Sequence, residues 1–134
     1  MGDILSATAL LLTLVGLLYS VWYRELSDAL DTKVPEFPED RKRPLRHVHG
    51  VLVTKALPLA ALSLGLTLAF LPVAVSITAV SLRLFLARPS SYFRSYDPVS
   101  TAFILVILVS VFFSNHLVAV LIRLYLLRRR LASR

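Results

Sequence analysis

An all-α integral membrane protein with three transmembrane helices is the fold class this sequence predicts, on three observations. Hydrophobic residues make up 57% of the 134 residues and charged ones 17%, an apolar content above the roughly 45–50% of a soluble domain. Charge is segregated, with Arg41-Lys42-Arg43 and Arg128-Arg129-Arg130 as dense blocks and long stretches carrying none. Three apolar stretches are long enough to cross the ~30 Å hydrocarbon layer as helices.

The first is Ile4 to Tyr23, uncharged throughout and about 30 Å long at 1.5 Å per residue. Tyr19, Trp22 and Tyr23 gather at its end, where amphipathic rings prefer the headgroup level. Trp22, Leu26 and Leu30 keep helical spacing beyond it, so one or two further turns are expected. From Thr32 to about Pro44 the prolines Pro35, Pro38 and Pro44 predict a loop, because each removes a backbone donor and restricts its neighbour.

Lys55 and Arg83 bracket the second span, Ala56 to Leu82, about 40 Å of helix whose flanking cations can snorkel to opposite headgroup layers. Pro72 lies inside it and either kinks one helix or separates two, the second choice giving four spans. Arg88 to Pro98 reads as a short loop with interfacial Tyr92, Phe93 and Tyr96, and Pro98 to Ile122 is the third span. A basic tail, 123–134, follows. One membrane domain accounts for the whole chain, with 24–55 as the loop between the first two spans.

Three spans put 24–55 and the tail on one side. Arg24, Lys33, Arg41, Lys42, Arg43, Arg46, Lys55, Arg123, Arg128, Arg129, Arg130 and Arg134 fall there, against Arg83, Arg88 and Arg94 on the other. The positive-inside bias therefore predicts an outside N-terminus and a cytoplasmic C-terminus. The excess of Arg over Lys suits a GC-rich bacterial source, and the expected location is the bacterial cytoplasmic membrane. Arg41, Lys42, Arg43, Arg46, Arg128, Arg129 and Arg130 are the expected contacts to anionic lipid headgroups. No basic helix face interleaved with aromatics lies outside the apolar segments, so nucleic acid is not an expected partner.

Small residues recur at three- and four-residue spacing as Ser6, Ala9, Thr13, Gly16 and Ser20 in the first span and Ala61, Gly65 and Ala69 in the second. Such stripes let helices approach closely in lipid, within one chain or between copies. Asn115 and His116 are the strongest polar groups in an uncharged span. Counted from the span centres, His116, Tyr19 and Ser63 share one depth, and with Ser110 and Ser114 they make a candidate intramembrane polar layer. It can serve as interhelical glue, as a pore lining or as part of a proton path, the last disfavoured because no Asp or Glu lies inside any span.

No cysteine is present, which excludes disulfides, thiolate nucleophiles and Cys-ligated metals. His47-Val48-His49 shares a face only on a strand, and a helix is about to begin there, so no metal site is expected. Met1-Gly2 with Ser6 is a loose match to a myristoylation signal. No nucleophile–base pair, phosphate-cradling glycine loop or paired carboxylate appears, so neither an enzyme nor a cofactor is expected. The expectation is a small membrane subunit acting through helix association, as a homo-oligomer or beside a larger membrane partner, with a self-assembling pore or small transporter as the alternative.

Overall fold

The computed structural model describes residues 2–88, 90 and 97–133. Helix α1 is Gly2–Leu30, a 3-10 turn spans Pro38–Arg41, α2 is Lys42–Val51, a π-turn covers Leu52–Ala56, α3 is Leu57–Ala87 and α4 is Pro98–Ala132. Gly2–Leu30, Pro38–Ala87 and Pro98–Ala132 are the three helical runs long and apolar enough to cross a membrane. The all-helical, three-span class is therefore the architecture observed. The loop aromatics Tyr92, Phe93 and Tyr96, with Arg94 and Arg134, lie outside the described residues.

Helix α3 continues through Pro72, so the second span is one helix, as the three-span reading expects. The boundaries differ from the sequence expectation in two places. Helix α2 begins at Lys42, well inside the expected loop. Pro44 is tolerated there as the third residue, where a first-turn N–H has no intrahelical acceptor to lose. Helix α4 runs past Arg123 to Ala132, so the basic tail is helical. At its start Asp97 accepts from the Val99 amide (3.1 Å), the Ser100 amide (3.3 Å) and the Ser100 hydroxyl (2.6 Å), and Pro98 occupies the first turn, a strong N-cap.

Pro58 explains the π-turn. Its ring lacks the N–H that would bond the Thr54 carbonyl and would collide with that carbonyl in a regular helix. The chain instead closes a wider ring from the Leu57 amide to the Leu52 carbonyl, and the Thr54 hydroxyl donates to the Gly50 carbonyl at 2.6 Å.

A seven-residue period organises the packing. In α1, Leu5, Thr8, Leu12, Val15, Tyr19, Trp22, Leu26 and Ala29 are all buried or half-buried, alternating steps of three and four. In α4 the same steps join Phe103, Ile107, Ser110, Ser114, Leu117, Val120 and Leu124, and Leu131 follows seven residues on, all buried. That is the repeat of left-handed coiled coils.

Two apolar clusters result. One, at the connection between α3 and α4, joins Ala74, Phe103 and Ile107 with Leu5, Phe70, Val73 and Ile77. The larger one, at the opposite end, includes Leu26, Ala29, Val48, Val51, Leu124 and Leu131. Its outermost members lie beyond the uncharged runs 4–23 and 98–122, among Glu25, Asp28, Arg123 and Arg128, so the packing continues past those runs as a short stalk. Where charged side chains draw water around it, burial is driven by water exclusion, about 1.5–3 kcal/mol per large apolar side chain. Inside lipid that drive is absent, and packing and hydrogen bonds must hold the helices.

Candidate functional site

The polar groups of the spans fall into two separate contacts, one buried and one at the exposed edge of the bundle, where His116 lies. Between α3 and α4, Ser63, Thr67, Ser110 and Ser114 are buried and bonded to one another. The Thr67 hydroxyl donates to the Ser63 carbonyl at 3.0 Å and lies 2.8 Å from the Ser110 hydroxyl and 3.1 Å from that of Ser114. Ser63 and Ser114 hydroxyls are 2.6 Å apart. Each hydroxyl has one proton, so this set admits one arrangement. Thr67 spends its proton on the carbonyl, Ser110 and Ser114 both donate to Thr67, and Ser63 donates to Ser114. All four donors are satisfied within the protein, as hydrocarbon surroundings require.

Between α1 and α4, the Tyr19 hydroxyl and His116 Nε2 are 2.9 Å apart. The Tyr19 ring meets Phe113, His116 and Tyr23 edge-on, with centroids 5.3, 5.7 and 5.7 Å away, a favoured aromatic geometry. The expected single layer is thus corrected in its composition. Tyr19 and His116 pair with each other, Ser63 pairs with Ser114, and Asn115 faces outward. Thr67, the hub of the hydroxyl cluster, was missing from the expected set, although Ser63 and Thr67 repeat the four-residue spacing of Ser110 and Ser114.

The small-residue stripes do not line the seams within the chain. Ser6, Thr13 and Ser20 are exposed and Ala9 and Gly16 half-buried, while Ala61, Gly65 and Ala69 are exposed. A Cβ added at Gly16 or Gly65 would meet nothing within 4 Å. Ser6, Thr13 and Ser20 each follow a seam residue by one position, about 100° round the helix, which turns them out of the bundle.

At the stalk end, Lys42, Arg43, Arg46 and His47 line one cavity of about 350 Å³ on the face of α2 opposite its buried Val48 and Val51. His47 and His49 are exposed, and among the described residues no group of three or more His, Asp or Glu is placed to hold a metal. Arg129 and Arg130 are exposed and Arg128 half-buried. Two cations expected at headgroups have protein partners instead. Arg41 donates from Nε to the Pro35 carbonyl at 3.1 Å and from Nη1 to the Ser133 carbonyl at 3.0 Å. Lys55 forms an ion pair with Glu25 of α1.

Comparison with protein-family models, with curated proteins and with solved structures found no match.

Proposed function

We propose that this chain is a non-enzymatic membrane subunit that works by helix–helix association, as a homo-oligomer or as an accessory of a larger membrane complex. The observation that carries this reading is the exposure of Ser6, Thr13, Ser20, Ala61, Gly65 and Ala69, with open space over Gly16 and Gly65. Close helix approach in lipid depends on such surfaces. Helix α1 is also lightly held, with 11% of its apolar window buried against 28% in each of the other two runs. The proposed setting is a bacterial cytoplasmic membrane, N-terminus outside, with the exposed cations of α2 and of the end of α4 against anionic lipid.

A self-assembling pore is the second reading, and Asn115 supports it, since its amide faces away from the bundle in an apolar helix. Ser110 and Ser114 are occupied by Ser63 and Thr67, so such a lumen would be lined by Asn115 and His116. Co-purification in mild detergent and flux in liposomes separate the two readings. Gly65→Leu should weaken association about tenfold or more, ~1.4 kcal/mol, and leave the fold intact. Leu66→Ala, at a buried position, should destabilise the chain itself. A stable monomer with no stoichiometric partner would overturn the subunit reading, as would unchanged association of Gly65→Leu.

A further inference from the structure

Helices α3 and α4 meet at Phe70, Ala74, Phe103 and Ile107, and beside that seam a groove runs toward the α3–α4 connection. Its inner part has a volume of about 370 Å³ and is lined by apolar side chains that include Leu71, Val75, Ala79, Leu108 and Val111. It adjoins a second cavity of about 500 Å³ through Thr78, Leu82 and Ile104, which line both. The rim of the second cavity carries Ser81, Asp97, Ser100 and Thr101. From Leu71 to Leu82 the groove climbs about 17 Å along α3, close to half the ~30 Å hydrocarbon thickness. An apolar trough one leaflet long with a polar mouth has the dimensions of a lipid.

The mouth also has a sign. Among the described residues lining the two cavities, Asp97 is the one that carries a formal charge. The Ser100 hydroxyl, and after it the Val99 amide, hold its carboxyl below the usual carboxylate range, so it is ionised at neutral pH. A carboxylate offers about four acceptor positions. Three are taken by the Val99 amide and the Ser100 amide and hydroxyl, which leaves one for an external donor.

We propose that this groove is a phospholipid site, in which an acyl chain lies between α3 and α4 and a primary-ammonium headgroup, as in phosphatidylethanolamine, donates to Asp97. A choline headgroup has no N–H to donate, and its methylated cation is best held by aromatic faces. An anionic glycerol headgroup would be repelled by the carboxylate.

The test is native mass spectrometry of the full chain in mild detergent, with phosphatidylethanolamine, phosphatidylcholine and phosphatidylglycerol of matched acyl chains. Exposed charge pairs are weak, so the ethanolamine lipid should be retained about two- to five-fold over the choline lipid, and the glycerol lipid least. Asp97→Asn keeps an N-capping side chain and should abolish the preference. Ala79→Trp, at an exposed position, should fill the groove and lower retention of all three lipids. Equal retention of the three by the natural chain overturns the proposal, as does a preference that survives Asp97→Asn. So does Ala79→Trp dissociating an oligomer while lipid retention stays the same, because a second copy would then be the occupant.

Discussion

Removing the Thr67 hydroxyl without changing side-chain shape tests the polar seam most directly. Thr67→Val leaves the Ser110 and Ser114 hydroxyls without the acceptor that both share, whereas Ser63→Ala removes only the donor at the start of the chain, aimed at Ser114. Interhelical hydrogen bonds in a membrane average about 0.6 kcal/mol and reach about 1.7. Two of them give about 1.2 kcal/mol for Thr67→Val, with a ceiling near 3.4, against about 0.6 for Ser63→Ala. In unfolding constants that is about eightfold against threefold. Reversible unfolding in bicelles reads both, and Thr67→Ser, which restores the hydroxyl, should recover most of the loss. If Thr67→Val costs no more than Ser63→Ala, Thr67 is not the hub and the proton assignment is wrong.

Four spans and three make opposite claims about sidedness, so a reporter active only in the cytoplasm should work after Arg134 and near Pro38 and fail between α3 and α4; activity at the last site would refute the assigned topology. His116→Leu should loosen α1 from α4 by about 0.6 to 1.7 kcal/mol while His116→Gln is tolerated, measured as α1–α4 cross-linking; equal behaviour of the two would remove the Tyr19 bond from the account. The Asp97 cap has a pH signature. Its folded carboxyl titrates below the unfolded one, so its contribution is complete above the unfolded value and is lost as pH falls through the folded value. Unfolding of the natural chain should therefore grow easier below about pH 4 relative to Asp97→Asn, and parallel curves would refute the cap's role.

The number of spans was legible because uncharged length is a strong signal in lipid. So was the continuation of α1, from Trp22, Leu26 and Leu30. Helix α2 was hidden by Pro44, which forbids a helix interior but not a first turn. The helical tail was hidden by the arginines, although Leu124, Leu127 and Leu131 carry its periodicity among them. Facing was the least legible property. Where nearly every residue is apolar, burial and exposure look alike in composition, so the small stripe of α1 stood out while the true seam, one position away, did not. The same ambiguity separated His116, bonded to Tyr19 of α1, from Ser63, bonded to Ser114 of α4.

Arg41 ties together two segments that lie far apart in the sequence. One guanidinium holds the Pro35 carbonyl of the connection after α1 and the Ser133 carbonyl just past α4, where the last carbonyls of a helix commonly fray. The effect is that of a crossbar closing a frame. Force applied to the C-terminus, by a partner or a neighbouring copy, reaches the α1–α2 connection through a single side chain and not only through the packed helices. Uncoupling the two ends would require no change inside the membrane at all.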